Sequence, residues 1–238
     1  MSQSQQTSSE FLFELDAGRV CLDFANTLDS SGDHLTSYAD LVAFALQAHL
    51  ITPEDAGWLR AEAGRDQHGA DGVLLRARWL RTAIRAIFSR LAAGEGPREL
   101  DLQMLNKDLA ESLGHARVVP AGGDNEFRWG WSPARDMEAP IWPISRSAAD
   151  LLTSTEERRL VRQCSGTECE WLFLDTSRNR SRQWCSMQSC GNREKARRHY
   201  QRMRQRREAS PADDAPRGRG RARRTPAAPA DDASATVA

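Results

Sequence analysis

No apolar run in these 238 residues is long enough to cross a membrane. The longest uncharged stretch, residues 41–51, falls far short of the roughly 20 residues a span needs. The N-terminal MSQSQQTSSE has no basic segment followed by an apolar one, so no secretory signal is expected, and a reducing, cytoplasmic setting is. Glycine-rich phosphate loops and internal repeats are absent. The five histidines (His34, His49, His68, His115, His199) show neither metal-ligand spacing nor a nucleophile partner. No catalytic constellation is visible, and a non-enzymatic protein is expected. Lysine is nearly missing: of 33 basic residues only Lys107 and Lys195 are lysine. Arginine suits bidentate phosphate contacts. The bias runs through the whole chain, however, and a GC-rich coding genome explains it equally well.

What the chain does have is four cysteines within 27 residues: Cys164-x4-Cys169, then Cys185-x4-Cys190. Two close pairs joined by a short loop suit one tetrahedral thiolate site holding a structural zinc ion, each pair gripping the metal from one turn. Two disulfides would need an oxidising compartment. An iron–sulfur cluster is a second rival that spacing alone does not exclude. Gly166 and Gly191 allow tight backbone beside the ligands. The run Glu170-Trp171-Leu172-Phe173-Leu174 reads as the returning strand of a hairpin that holds the first pair, with Trp184 packed on the same small core. A module this small depends on its metal for stability. Cys21, between Val20 and Leu22, reads as a small buried hydrophobe.

Net charge is zero, yet it is unevenly spread. Residues 1–155 hold 14 basic and 22 acidic side chains, residues 156–207 hold 14 and 6, and residues 208–238 hold five of each. An acidic body with a basic arm is implied. Residues 1–9 and 208–238 lack apolar pattern and are expected to be disordered; within the tail, RGRGRARR at 217–224 loosely resembles a minor-groove hook without its central proline and reads as a solvated tail, with an auxiliary DNA arm as the alternative.

The body, residues 10–155, reads as mainly helical. Asp40 is expected to cap one helix and Thr52-Pro53-Glu54-Asp55 to start another. A long helix over 71–93 carries Leu75, Trp79, Ala83, Ile84, Ile87, Phe88 and Leu91 as its apolar stripe. Another, over 97–113, presents Leu102, Leu105, Leu109 and Leu113, with Gly114 as its stop. Residues 116–120 and 126–131 flank a Gly-Gly-Asp-Asn turn and predict one β-hairpin, with Phe127, Trp129 and Trp131 alternating on it. A last helix spans about 144–152. Within Leu22-Asp23-Phe24-Ala25-Asn26-Thr27-Leu28, the polar Asp23, Asn26 and Thr27 share one helix side. They either line a ligand pocket or, the preferred reading, tie the N-terminal segment to the bundle by internal hydrogen bonds.

Past the second cysteine pair, residues 192–207 read as a basic helix. Ala196, Tyr200 and Met203 form a narrow face expected to pack on the knuckle. Lys195, Arg198, Arg202 and Arg206 lie on one flank, with Arg193, Arg197 and Arg204 on the other. Such a helix suits a nucleic-acid groove. Asn192 begins it. The loop 175–182 adds Arg178, Arg180 and Arg182 among short hydrogen-bonding side chains. Trp171, Phe173 and Trp184 read as core and not as stacking platforms, which favours DNA over RNA.

Cys164-x4-Cys169, Leu172-Phe173-Leu174-Asp175-Thr176-Ser177-Arg178 and Trp184-Cys185-x4-Cys190-Gly191-Asn192-Arg193-x-Lys195 together closely resemble the CGNR zinc-finger family over about 45 residues. The segment Leu22-Asp23-Phe24-Ala25-Asn26-Thr27-Leu28 resembles the ABATE domain that precedes this finger, with Ala25 where valine is common. The resemblance implies bacterial stress-induced transcription regulators, with a ligand-sensing N-terminal domain and a DNA-binding, treble-clef-like finger. Carried over, the zinc ligands are Cys164, Cys169, Cys185 and Cys190.

The expected architecture is mainly α: a helical domain with one antiparallel hairpin over 10–155, then a small four-cysteine finger with a basic helix over 156–207. The expected function is DNA-binding transcription regulation, with the body sensing a small molecule or mediating assembly, and with a second copy of the chain as a partner. The alternative is a structural zinc module for RNA or protein partners.

Overall fold

The computed structural model describes residues 11–123, 125–131 and 135–209, with side chains to Arg206. Expectations for residues 1–9 and for the tail beyond Ala209, including 217–224, lie outside the described residues. The chain divides into two compact units, residues 1–195 and residues 196–238.

In the first unit, helix α1 (Val20–Ala25) is the innermost element, and Cys21, Leu22, Phe24 and Ala25 are fully buried. A six-residue helix has no stability of its own; it holds because two longer helices (Gln67–Ala92 and Trp142–Thr153) and a late strand (Leu172–Leu174) pack against it. After α1 the two short strands β1 (Leu28–Asp29) and β2 (Gly32–Asp33) pair antiparallel, a ladder the sequence reading did not anticipate. Helix α2 (Tyr38–Gln47) starts one turn earlier than expected. Its N-cap is Ser37, and Asp40 sits three residues in, closing a capping box. Helix α3 (Pro53–Arg65) begins as read, with Thr52 and Asp55 capping each other.

The central helix α4 (Gln67–Ala92) is capped by Asp66 and runs 26 residues. Its C-terminal half buries Ala83, Ile84, Ile87 and Phe88 as expected. In the N-terminal half the phase was misread: Leu74, Ala77 and Leu80 point inward, while Leu75 and Trp79 are exposed. The expected stripe counted the large side chains, whereas the packed face uses alanines where neighbouring helices come close. Helix α5 (Glu99–His115) overruns Gly114 by one residue and buries Asp101, Leu105, Asp108 and Ser112; Leu113 is exposed. Two of those buried positions are acids, which an apolar count misses. Arg76 on α4 reaches Asp108, Glu111 and Glu138, and Arg98 chelates Asp101. Strands β3 (Ala116–Pro120) and β4 (Phe127–Trp131) form the expected hairpin, with Val118 opposite Trp129. Helix α6 (Trp142–Thr153) and the single turn α7 (Thr155–Arg158) complete the body.

Strands β5 (Val161–Gln163) and β6 (Leu172–Leu174) pair antiparallel and feed Val161, Leu172, Phe173 and Leu174 into the same core as α1 and α4. A five-residue π-turn over Met187–Gly191 then leads into α8 (Asn192–Ala209). The face expected to be buried on α8 is exposed: Ala196 is open, Tyr200 is 74% exposed and Met203 45%. Three apolar positions among so many charges make too narrow a strip to bury.

Candidate metal centre

The β5–β6 hairpin positions the first cysteine pair. Cys164 follows β5 directly, and its backbone N–H donates to the carbonyl of Trp171, so the ladder closes the loop that carries both thiols. Gly166 lies inside that loop, where a Cβ would meet Cys169 Cβ at 3.2 Å and the Cys190 and Cys164 sulfurs at 3.4 and 3.5 Å. The second pair comes from the loop before the π-turn and from the π-turn itself, placing Cys190 on the approach to α8.

The four sulfurs lie within 4.8 Å of one another. Cys169 Sγ is 3.6 Å from Cys185 Sγ, and Cys185 Sγ is 3.7 Å from Cys190 Sγ. A tetrahedral ion with metal–sulfur bonds of about 2.3 Å has a sulfur–sulfur edge of about 3.8 Å. The spacing therefore fits one ion. It is too wide for disulfides, whose sulfurs sit about 2 Å apart, and too tight to enclose a multi-iron cluster. The backbone N–H groups of Gly166 and Cys185 each donate to Cys164 Sγ at 3.4 Å, an arrangement that favours thiolate. Among the sulfurs, Cys169 is pulled down to about 5, chiefly by hydrogen bonding from Cys185. Cys185 is pushed up because it donates that bond, and Cys190 is pushed up to about 11 by burial. Without a cation the clustered sulfurs compete for protons; a zinc ion on four sulfurs would let all four lose theirs. Cys21, by contrast, is fully buried away from this site and pushed up to about 12 by that burial, an inert thiol.

The loop after β6 is organised by Asp175, a residue the sequence reading did not single out. Its fully buried carboxylate accepts from Ser177 N at 3.0 Å, Ser177 Oγ at 2.5 Å and Arg182 N at 3.0 Å. Burial opposes ionisation, and those donors with the nearby Arg162 outweigh it and hold the carboxyl below its usual range. The Asp-x-Ser spacing is an Asx-turn signal that was legible in the sequence. This fold exposes Arg178 and Arg180, the latter with φ of 49°. Arg182 is engaged internally: Nε donates to Trp184 O at 2.9 Å, a second nitrogen to Cys185 O, and the guanidinium sits 4.5 Å over the Phe173 ring. Asn192 donates from its side chain to Gln188 O at 3.2 Å. Arg193, Lys195, Arg197, Arg198 and Arg202 are all exposed along α8.

Asp23, Asn26 and Thr27 line a cavity of about 200 Å³ with Phe11, His34 and Trp171. Their polar atoms are engaged within the protein. Asp23 accepts from Ala17 N at 2.9 Å. Thr27 donates to Phe24 O at 2.8 Å and meets Arg81 at 3.1 Å. Asn26 bonds both sides of Leu172, accepting its N–H at 2.8 Å and donating to its carbonyl at 2.9 Å, so an amide side chain extends the β5–β6 ladder into the body. Further ties flank it: Leu174 N to Ala17 O at 2.8 Å, Trp171 Nε1 to Asp29 at 3.1 Å, and Arg85 to Glu170 at 2.6 Å. Gly18, with φ of 88°, is where the chain passes Leu174; a Cβ there would sit 3.3 Å from Leu174 Cβ.

Fold and site define a helical protein with a four-thiolate, zinc-type knuckle built into its core. The family model described as "Putative stress-induced transcription regulator" (ABATE) matches residues 18–155, and the CGNR zinc finger model matches residues 160–203. The first match covers more than half of the chain, so the protein belongs to the ABATE family, and it carries a CGNR zinc finger after that domain. A comparison with curated proteins returned no match. Among the described residues no helix is long and apolar enough to cross a membrane.

Proposed function

We propose that this protein is a DNA-binding transcription regulator of the cytoplasm, with no catalytic role, whose body senses a small molecule or mediates assembly. One zinc ion per chain is structural: Cys164, Cys169, Cys185 and Cys190 close the coordination shell and leave no open position for chemistry. The observation that carries the reading is the continuity of metal and charge. The turn holding Cys190 runs directly into α8, whose exposed side carries Arg193, Lys195, Arg197, Arg198 and Arg202. Arg178 and Arg180, held out by the Asp175 turn, add positive charge within the finger. Phe173 is buried and Trp171 and Trp184 pack on the core, which supports DNA over a base-stacking mode. A single finger covers only about 600–1,000 Å² on DNA, so a homodimer is the expected working form.

Titrating a fluorescent duplex at 50 and 200 mM salt tests this. With six or more phosphate contacts, affinity falls roughly a thousandfold between the two. Binding that is absent, or indifferent to salt, contradicts it. The exposed Tyr200 supports a second reading, an RNA-binding module that stacks bases. Under that reading single-stranded RNA outcompetes the duplex.

A further inference from the structure

A cavity of about 550 Å³ opens between the start of α3, the β3–β4 hairpin and the turn leading into α6. That is the size of a small-molecule site. Trp58, Trp131 and Trp142, with Leu50, Ile51 and Leu59, provide flat and apolar walls. Trp142 is fully buried and stacked on His115 with ring centres 3.9 Å apart, and its Nε1–H is buried without a hydrogen-bond partner. Buried indole N–H groups normally find an acceptor.

The charged groups of the lining are not equally satisfied. Asp55 is engaged by Thr52 in the α3 cap, and Asp136 accepts from Glu138 N at 2.8 Å. Arg128 and Arg135, both exposed, have neither an ion pair nor a hydrogen bond among the described residues. The unpaired donors of the lining residues are two guanidiniums and one indole N–H, while Asp55 and Asp136 are each engaged through one carboxylate oxygen. His49, also in the lining, takes a left-handed φ of 56° where the chain leaves α2, with Leu50 N bonded to Ala45 O at 2.8 Å as in a helix C-terminal turn.

We propose that this cavity binds a small planar aromatic carboxylate, its ring against the indoles and its carboxylate on Arg128 and Arg135. A neutral ring would leave both guanidiniums unpaired, and a cationic ligand would find only Asp55 and Asp136, which the α3 cap and the Glu138 N–H already engage. The inference deepens the sensing half of the proposed function and rests on that reading only for its regulatory consequence.

The test uses the full zinc-loaded chain, labelled with 15N, and two probes: 2-naphthoate and its neutral counterpart 2-naphthalenemethanol. Naphthoate is expected to shift the indole resonance of Trp142 saturably and to bind at least about tenfold tighter than the alcohol, the increment of a charge-assisted hydrogen bond. Arg128→Gln, at an exposed position, should reduce that preference several-fold, and Arg128→Gln with Arg135→Gln should abolish it. No saturable shift at Trp142, equal affinity for the two probes, or an unchanged preference in Arg128→Gln overturns the site. Duplex binding with and without naphthoate is read separately. Occupancy that leaves DNA affinity unchanged upholds the site and removes the sensor reading alone.

Discussion

On the helices of the body several arginines are answered by acids. Arg76 meets Asp108, Glu111 and Glu138; Arg81, only 3% exposed, is bidentate on Asp33 at 2.7 Å; Arg146 reaches Asp150 and lies over Trp129. From residue 156 to 207 the balance inverts, with 14 basic side chains and six acidic ones. There Arg178 and Arg180 stand exposed with no ion pair among the described residues, while the buried acid nearest them, Asp175, is taken up by Ser177 and a backbone N–H. The same residue type thus ties helices together in the body, while Arg178 and Arg180 stand exposed on their loop. Asn26, bonded to both sides of Leu172, ties the β5–β6 hairpin to the body.

The comparison breaks most severely if the metal is removed. Chelation, or Cys185→Ser, should unfold the β5–β6 knuckle, since four-thiolate zinc contributes on the order of 10 kcal/mol to such a module. Because Phe173 and Leu174 share the body's core, thermal unfolding of the body should shift down as well. Elemental analysis and calorimetry of the same sample check both. On the body side, Arg81→Met should cost about 1.5–3 kcal/mol in urea unfolding, as it removes the bidentate partner of Asp33 and the tie to Thr27 and leaves Asp33 with Arg78 and Leu35 N.

Asp23 gives a pH signature. Burial pushes its carboxyl up to about 6, opposed in part by the Ala17 N–H and reinforced by Asp16. The folded state then holds the proton more tightly than the unfolded chain. The resulting stability is fully present below about pH 4 and is lost as pH rises through about 6, a change of about 3 kcal/mol. Asp23→Asn keeps an acceptor for Ala17. It should match the parent near pH 4 and exceed it near pH 7, as measured by the difference between their denaturation midpoints. The smallest effect on stability is expected in the basic region: Arg178→Ala and Arg180→Ala should each change unfolding by less than about 0.5 kcal/mol, while the pair weakens duplex binding and lowers its salt slope by about two.

The four ligands were legible because thiolate spacing is a local pattern, and the β3–β4 hairpin because its turn residues and alternation are local too. The phase of α4 was not, since which face packs depends on partners far along the chain: Ala77 and Leu80 go in and Trp79 out although all three suit either side. Nor could spacing reveal that Asn26 would bond Leu172, 146 residues away. A polar motif on a buried helix reads as a tie in preference to a pocket, but the partner of the tie is visible only in the fold. Arg182 was grouped with its neighbours by charge, yet the carbonyls of Trp184 and Cys185 claim it. The cavity at Trp58, Trp131 and Trp142 draws on three separate segments, so no local pattern announced it.

The proposed function turns on whether duplex binding depends on the metal site or on charge alone. The direct measurement is fluorescence anisotropy of a labelled duplex against zinc-loaded and chelator-stripped protein at one ionic strength. The account predicts that stripping weakens binding by at least about tenfold and that added zinc restores it. Equal affinity of the two forms would contradict it and leave only a nonspecific basic segment.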